Sequence, residues 1–326
     1  MDRRIKSLYS DKILLEAAAR YGVDRSKIKK LGGFESFIYE YEKDGELNIL
    51  RIAHSYHRSM IDLHAEMEWI NYLGENGADV AGAVKSESGK LAEKINIGDS
   101  YFIASSIEKA DGTHVKKEHW NKDLFKAWGK AIGKLHKITK DYVPIETPRF
   151  KWDDEYLIKD FKRYLPETEI VISEKTQGII DEIKRLETGR DNYGLIHTDI
   201  HHGNFFWDNG KITIFDFDDC AYKHLISDIA IAVFYSMMSK NDFATKEDFA
   251  EYFLCHFMDG YAIENTLSDK WMKLLPDFLK LREVVLYVAI SRSYDPANPD
   301  EWCQNYMKKH KNSIENDIPL LNREII

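Results

Sequence analysis

Residues 195–219, LIHTDIHHGNFFWDNGKITIFDFDD, bring together the acidic and amide side chains that phosphoryl transfer requires. His197, Asp199 and Asn204 form the pattern H-x-D-x-x-x-x-N, and Asp216 follows an apolar run. Phosphoryl transfer uses a carboxylate that accepts a hydroxyl proton, and an amide oxygen and a second carboxylate that hold Mg²⁺ against nucleotide phosphates. The segment contains these groups in that order, so it predicts a phosphoryl-transfer site.

The same segment predicts a hairpin that explains a shared metal site. Strand-like runs at 205–207 and 212–215 flank a turn that contains Asn-Gly, which favours a type I′ turn. Folding the hairpin brings Asn204 beside Asp216, although they are twelve positions apart. Mg²⁺ typically takes one or two carboxylates and completes its shell with phosphate oxygens and water. We therefore predict Asn204 and Asp216 as metal ligands. For Asp218 three roles stay open: a further metal ligand, a group that attracts a substrate cation, or a solvated or capping acid.

Three other polar residues near the motif have different predicted roles. Asp199 lies in the loop and could act as a general base or as an orienting group. We interpret His197 as a buried residue that braces the loop through hydrogen bonds. Asp228 is predicted to begin a helix or to brace a loop.

Arg51 and Glu66 are two charges in apolar surroundings. Arg51 ends a strand-like run, and Glu66 lies on the apolar face of a helix predicted over 59–73. Because a buried charge is costly without a partner, we predict that the two form an ion pair and that Arg51 contacts nucleotide phosphates. The alternative for Arg51 is an exposed strand residue. Residues 32–36, GGFES, are predicted to cover the phosphates or to form an ordinary turn.

The order of elements predicts an α+β fold. Strand-like runs at 34–41 and 47–52 flank a turn at 43–46, and further short strands are plausible at 81–84, 91–95 and 101–105. Helical patterns dominate from about residue 118, with later helices predicted at 249–261 and 271–290. Residues 106–113 lose periodicity and contain Asp-Gly, and they form the candidate hinge. Two lobes are therefore expected: 1–105, rich in strands, and 114–326, mainly helical.

Composition narrows the class of protein. The formal charge of -9, from 46 basic and 55 acidic residues, argues against nucleic-acid binding, which needs clustered Lys and Arg. Cys220, Cys255 and Cys303 are widely spaced and without a C-x-x-C pair, which indicates neither a disulfide framework nor a zinc site and favours a cytoplasmic location. The apolar run 229–238 is far shorter than the roughly 20 residues that span a bilayer, so no membrane segment is predicted.

The motifs H197-T-D199-I-H-H-G-N204 and I214-F-D216-F-D218 resemble those of the aminoglycoside phosphotransferase and choline kinase-like family, which is related in fold to the protein kinases. The resemblance implies a protein kinase-like fold of two lobes, ATP and Mg²⁺ as cofactors, and Asp199 as the catalytic aspartate. It implies that Arg51 and Glu66 stand for the Lys–Glu pair of kinases, although Arg does not replace Lys freely. By the same resemblance, the nucleotide site includes Gly32, Gly33 and Ser36 in the covering loop, and the backbone of Ser106, Ile107, Glu108 and Lys109 in the adenine-binding hinge.

The phosphate acceptor is predicted to be the hydroxyl group of a small molecule. The segment after Asp216 has no counterpart of the activation loop and A-P-E element of protein kinases. An aminoglycoside or amino sugar, a choline-like amino alcohol and homoserine all remain open, and the sequence decides neither ATP over GTP nor the oligomeric state. Two other interpretations stay open: a stress-related protein Ser/Thr kinase of the same fold, and a non-catalytic nucleotide-binding regulator. The residues predicted to line the acceptor pocket are Asp219, Arg282, Glu283, Tyr287 and Trp302.

Overall fold

The structure, a computed structural model, describes residues 3–239, 243–293 and 300–321. The chain divides into two compact units, and each unit combines separate parts of the chain. The first unit contains Met1–Thr113, Asp141–Arg149 and Phe205–Asp218. The second contains His114–Lys140, Phe150–Asn204 and Asp219–Ile326.

An antiparallel six-stranded sheet is the main feature of the first unit. Its strands follow the order β1 (Ile28–Gly32), β2 (Phe37–Lys43), β3 (Glu46–His54), β6 (Ser100–Glu108) and β4 (Ala83–Val84), and β5 (Ala92–Ile97) also pairs with β6. The hairpin predicted around residues 43–46 is confirmed, and its turn places Asp44 and Gly45 at φ values of 54° and 88°. Elements of the first unit are α1 (Arg3–Leu8), α2 (Asp11–Arg20), β1 (Ile28–Gly32), β2 (Phe37–Lys43), β3 (Glu46–His54), α3 (Met60–Glu75), β4 (Ala83–Val84), β5 (Ala92–Ile97) and β6 (Ser100–Glu108).

Helix α3 begins where its sequence satisfies the free backbone groups of a helix start. The Ser59 side chain accepts a hydrogen bond from the Asp62 N–H, and the Asp62 carboxylate accepts one from the Ser59 N–H. This reciprocal capping fixes the first turn. Glu66 lies on the buried face of α3 with Leu63, Met67 and Ile70.

As far as its residues are described, the second unit is mainly helical and contains one short pair of strands. Antiparallel pairing of β7 (Tyr193–Ile196) with β10 (Ala221–His224) sets Ile196 opposite Ala221 and Gly194 opposite Lys223. Its elements are α4 (Lys122–Thr139), α5 (Tyr156–Lys159), α6 (Phe161–Tyr164), α7 (Ile170–Lys184), β7 (Tyr193–Ile196), β10 (Ala221–His224), α8 (Ile226–Met238), α9 (Lys246–Tyr261), α10 (Asp269–Met272), α11 (Leu275–Ser293) and α12 (Glu301–Glu315).

Helices α4 and α9 pack through glycine. A Cβ added at Gly129 would lie 1.8 Å from the Phe257 carbonyl oxygen, and one at Gly260 would lie 1.8 Å from the Lys126 carbonyl oxygen. The two backbones therefore touch, which any larger residue at either position would prevent.

One predicted helix was wrong in its extent. The continuous helix expected over 271–290 is divided into α10 and α11. Pro276 is the second residue of α11 and has no N–H, so it fits the first turn of a helix but not the interior of a longer one. Among the described helices, none combines the length and the apolar character that a membrane crossing requires.

The central hairpin of the motif belongs to the first unit. Strands β8 (Phe205–Asp208) and β9 (Lys211–Ile214) pair antiparallel, with Phe205 opposite Ile214. Asn209 and Gly210 at the turn have φ values of 44° and 100°, as a type I′ turn requires. The Ile214 carbonyl oxygen accepts a hydrogen bond of 2.9 Å from the Ala81 N–H, which joins the hairpin to the rest of the unit.

Candidate active site

The loop that carries Asp199 begins directly after β7 and is held by Asp228 of α8. The Asp228 carboxylate accepts hydrogen bonds from the backbone N–H groups of His197 and Thr198, at 3.1 and 2.8 Å. Thr198 has a φ of 64°, which is uncommon for a β-branched residue. His197 is fully buried, and its Nδ1 accepts a hydrogen bond of 3.3 Å from the Asp199 N–H. His197 and Asp228 therefore brace the loop, as predicted.

Both carboxylate oxygens of Asp199 are engaged inside the second unit. Oδ1 lies 2.5 Å from Arg282 Nη2, and Oδ2 accepts a hydrogen bond of 3.2 Å from Asn204 Nδ2. His201 Nε2 lies 3.5 Å from Oδ2. Burial raises the pKa of Asp199, but the charge of Arg282 and the hydrogen bond from His201 outweigh this effect and lower the pKa to about 2. Asp199 is therefore an ionised, oriented hydrogen-bond acceptor at neutral pH.

Arg282 is itself fixed by Tyr235, a residue that the sequence did not indicate. Arg282 Nη2 donates a hydrogen bond to the Tyr235 hydroxyl, and the guanidinium carbon lies 5.0 Å from the centre of the Tyr235 ring. Tyr235 lies on α8, whose apolar composition gave no reason to single out one aromatic residue. Arg282 Nη2 therefore contacts both the Asp199 carboxylate and the Tyr235 hydroxyl, and the guanidinium also lies over the Tyr235 ring. These three contacts limit the orientations that the guanidinium can take.

In the first unit, the structure pairs Arg51 of β3 with Glu66 of α3. Arg51 Nη2 lies 2.8 Å from Glu66 Oε2, and Glu66 is only 1% exposed. Arg51 Nε also donates a hydrogen bond of 3.3 Å to the Ser105 hydroxyl. Burial lowers the pKa of Arg51, but the charges of Glu66 and Asp218 raise it more, so the guanidinium stays charged. The predicted ion pair is present, and the exposed alternative for Arg51 is excluded.

Asp218 lies among basic groups of the first unit, which the sequence did not predict. One carboxylate oxygen lies 2.6 Å from His57 Nε2 and 3.5 Å from Arg58 Nε, and the other lies 3.5 Å from Arg51 Nη1. Arg149 donates a hydrogen bond to the Asp218 carbonyl oxygen. Burial raises the pKa of Asp218, but the charges of His57 and Arg58 lower it well below its ordinary value. These contacts account for Asp218 without a metal, and its role as a ligand stays a prediction.

Asp216 follows β9 in a backbone conformation that non-glycine residues rarely adopt, with a φ of 65°. Its charge contributes to the raised pKa of Arg51, so it lies in the electrostatic environment of that ion pair. Strained residues of this kind persist where the surrounding structure holds them, and they cluster at functional sites.

The residues predicted to cover or contact the nucleotide occupy the sheet. A Cβ added at Gly33 would lie 1.9 Å from the Ser36 carbonyl oxygen, and Gly33 has a φ of 117°, so this turn requires glycine. Gly32 ends β1, and Ser36 is buried. Ser106, Ile107 and Glu108 end β6, which makes them strand residues, although the sequence suggested that periodicity was lost there. The Ser106 hydroxyl lies 2.8 Å from the Tyr41 hydroxyl and donates a hydrogen bond of 3.1 Å to the Ile49 carbonyl oxygen, and Ser106 pairs with Leu50 of β3 and Val84 of β4 in the sheet.

The five predicted acceptor residues do not form one cluster. Arg282 contacts Asp199, and the Asp219 carbonyl oxygen accepts a hydrogen bond of 2.5 Å from the hydroxyl of Thr198. Glu283 is fully buried on another side of α11, where it pairs with Lys280 at 2.8 Å and His310 at 2.6 Å.

The other two predicted acceptor residues lie apart in the second unit. Tyr287 is buried in the helical core. Trp302 is half-exposed on α12 and stacks on Tyr306. The structure thus brings only Arg282 and Asp219 to the Asp199 loop.

Comparison with known proteins identifies the family. Residues 28–263 match the profile of the phosphotransferase enzyme family (APH). Amicoumacin kinase of Bacillus subtilis (strain 168) is 37% identical over 323 residues, which cover 97% of this chain and 95% of the relative. A solved structure of amicoumacin kinase hAmiN with AMP-PNP, Ca²⁺ and Ami has a TM-score of 0.93 and 32% identity, and the match covers 99% of each chain.

More distant structures share the fold alone. A microcompartment-associated aminopropanol kinase has a TM-score of 0.75 and 19% identity, with 94% of this chain and 95% of that chain covered. Spectinomycin phosphotransferase, solved with ADP and spectinomycin, has a TM-score of 0.60 and 15% identity, with 98% and 99% covered. The match to the family profile over most of the chain, together with the relative that is similar over nearly its full length, shows that this chain belongs to the phosphotransferase enzyme family and is a kinase.

Proposed function

We propose that this protein transfers the γ-phosphoryl group of ATP to a hydroxyl group of amicoumacin. The observation that carries the proposal is the 37% identity with an amicoumacin kinase along almost the whole of both chains. The engaged and ionised Asp199 supports it, because phosphoryl transfer needs a fixed carboxylate that receives the acceptor hydroxyl.

The donor set also fits a nucleotide with a divalent cation. Asn204 donates through Nδ2 to Asp199, so its amide oxygen remains a potential ligand, and Asp216 supplies a carboxylate. Oxygen ligands of this type suit Mg²⁺. When bound, the cation neutralises charge on the phosphate oxygens. Asn204 immediately precedes β8 and Asp216 follows β9 by two positions, and we propose that the pairing of these strands lets both residues hold one ion.

The chemical role of Asp199 follows from its low pKa. A carboxylate with a pKa of about 2 is a weak base, so its first contribution is to orient the acceptor hydroxyl through a hydrogen bond. It takes the proton as the bond between that oxygen and the γ-phosphorus forms and the hydroxyl becomes more acidic, while the bond from the γ-phosphorus to the bridging oxygen breaks and ADP leaves. Arg282 keeps the carboxylate ionised and in position, and most of the rate enhancement comes from positioning and charge stabilisation.

The test is to incubate the purified protein with Mg²⁺, ATP and amicoumacin, and to follow ADP formation and the mass of the product. We expect one added phosphoryl group on amicoumacin. Asp199→Asn keeps the size of the side chain but removes the carboxylate, so transfer should be lost while calorimetry still detects Mg²⁺·ATP binding. Transfer retained by this variant would refute the role of Asp199.

Parallel reactions with choline, homoserine, an aminoglycoside and a generic protein distinguish the other functions. Turnover of one of these small molecules but not of amicoumacin would refute amicoumacin as the acceptor. It would still support phosphoryl transfer from ATP to a small-molecule hydroxyl group. A phosphorylated protein would indicate a protein kinase. ATP binding without any phosphorylated product would indicate a nucleotide-binding regulator.

A further inference from the structure

Lys223 is a buried cation in the second unit that the phosphoryl-transfer chemistry above does not use. It lies on β10, opposite Gly194 of β7, and β7 leads directly into the loop that carries Asp199. The residue is only 8% exposed. Lysine is rarely this buried unless a partner compensates for the lost hydration.

The surroundings of Lys223 provide only weak compensation. In residues 3–239, 243–293 and 300–321, no carboxylate oxygen lies within 4.0 Å of its ammonium group. Lys223 Nζ instead lies 5.6 Å from the centre of the Trp152 ring. The backbone fixes this arrangement, because the Tyr222 N–H donates a hydrogen bond of 3.0 Å to the Phe150 carbonyl oxygen. A ring face attracts a cation but accepts no strong hydrogen bond, and among the described residues no acceptor lies within hydrogen-bond distance of this ammonium group.

Arg282 links this lysine to the catalytic loop. Arg282 contacts Asp199 Oδ1, and its charge also acts on Lys223. Burial lowers the pKa of Lys223 to about 8, repulsion by Arg282 adds to the effect, and the charges of Asp228 and Glu155 offset part of it. Arg282 is neutralised by Asp199, whereas Lys223 has no ion pair of its own in the described residues. Two cations thus share one region of the second unit, and within the described part of the chain the Asp199 carboxylate is the one that lies within 4.0 Å of either.

We propose that Lys223 is an acceptor-binding residue whose ammonium group holds a carboxylate or carbonyl oxygen of the phosphate acceptor. This inference rests on the proposed function, since it assumes that the acceptor hydroxyl is presented to Asp199. The class of acceptor that it selects carries an anionic or carbonyl oxygen in addition to the hydroxyl and has an apolar part that packs against Trp152. An amino alcohol without such an oxygen leaves the ammonium group unsatisfied, which costs binding energy.

The kinetic test compares wild type with Lys223→Met, which retains the apolar stem and removes the charge. Lys184→Met is the matched control, because Lys184 is half-exposed and pairs with Asp153 at 3.2 Å. We expect the KM for amicoumacin to rise roughly tenfold to a hundredfold in Lys223→Met, the range for loss of a hydrogen bond to a charged group. The values of kcat and of the ATP KM should change little, because Lys223 does not touch the reacting atoms. An unchanged amicoumacin KM, or an equal rise in Lys184→Met, would overturn the proposal.

A second test does not depend on the identity of the acceptor. Acetate is used as a carboxylate probe, and the Cε signal of Lys223, identified by its loss in Lys223→Met, is followed by NMR during titration of the intact protein. Saturable movement of this signal supports an oxygen-binding site, and the absence of movement refutes it. If amicoumacin is not phosphorylated but acetate binds at Lys223, the proposed function fails and the subsite stands.

Homoserine and 3-amino-1-propanol add a matched pair of ligands with and without a carboxylate. Their binding is compared by calorimetry in wild type and in Lys223→Met. A preference for homoserine that disappears in Lys223→Met supports the proposal, and a preference that persists in the variant contradicts it.

Discussion

Replacing Arg282 with alanine tests the arrangement around Asp199 most directly. The substitution removes the partner at 2.5 Å from Asp199 Oδ1 and leaves Asn204 and His201 at the other oxygen. The carboxylate then loses one of its orienting contacts and much of the charge that keeps it ionised. We expect both effects to appear in the transfer step rather than in nucleotide binding.

The expected magnitude follows from the burial of the pair. Truncating one partner of a buried, hydrogen-bonded charge pair costs about 2–5 kcal/mol. The two side chains are 16% and 22% exposed, so water partly replaces the lost contact, and the lower part of this range applies. A loss of about 2–3 kcal/mol in the transition state corresponds to a decrease in kcat of roughly 30- to 150-fold.

The assay measures kcat at saturating ATP and acceptor for four proteins: wild type, Arg282→Ala, Tyr235→Phe and the surface control Arg185→Ala. Tyr235→Phe removes one hydrogen bond from Arg282 and keeps the ring, so its effect should be smaller. Arg185→Ala should behave as wild type. Because Arg282 acts through Asp199, adding Arg282→Ala to Asp199→Asn should cause little further loss. A kcat for Arg282→Ala close to wild type, or fully additive losses in the double variant, would refute the reasoning.

Three further predictions concern nucleotide binding and stability. Arg51→Ala leaves Glu66 buried without its partner, so the free energy of unfolding should fall by about 3–5 kcal/mol in urea titrations, and the ATP KM should rise; an unchanged ATP KM would exclude a role in nucleotide binding. Asp216→Ala should weaken Mg²⁺·ATP binding in calorimetry, and equal affinity would exclude Asp216 as a ligand. Burial lowers the pKa of His224 from 6.5 to about 4, so the unfolded chain binds a proton that the folded chain does not, and stability should decrease as the pH falls through this interval. His224→Gln should reduce that dependence in unfolding curves recorded across the interval; an identical pH dependence in the variant would contradict the assignment.

The parts of the molecule that sequence predicted are those in which local pattern determines structure. The Asn-Gly turn and its flanking apolar runs define the β8–β9 hairpin within a few positions. Arg51 and Glu66 were predictable as a pair because each is costly to bury alone. Pro276 indicates the start of a helix inside 271–290, but the apolar periodicity of that segment favoured one continuous helix.

What sequence did not predict depends on contacts between distant parts of the chain. Tyr235 reaches Arg282 across 47 positions, and Arg149 reaches Asp218 across 69. Neither residue stands out locally, since an aromatic residue in an apolar helix and an arginine in a connecting segment are common. Placing such residues requires the packing of several elements at once, which spacing along the chain does not specify.

The carboxylate of Asp228 has a consequence for how mutations in this protein are interpreted. It holds two successive backbone N–H groups of the Asp199 loop, including that of Thr198 in its unfavourable conformation. A genetic screen for loss of function would therefore recover substitutions of Asp228 together with those of Asp199, and a list of intolerant positions would rank the two aspartates as equals. Substitution of Asp228 disturbs the shape of the loop, whereas substitution of Asp199 removes the reactive group. A structural probe of the backbone would therefore distinguish the two kinds of variant.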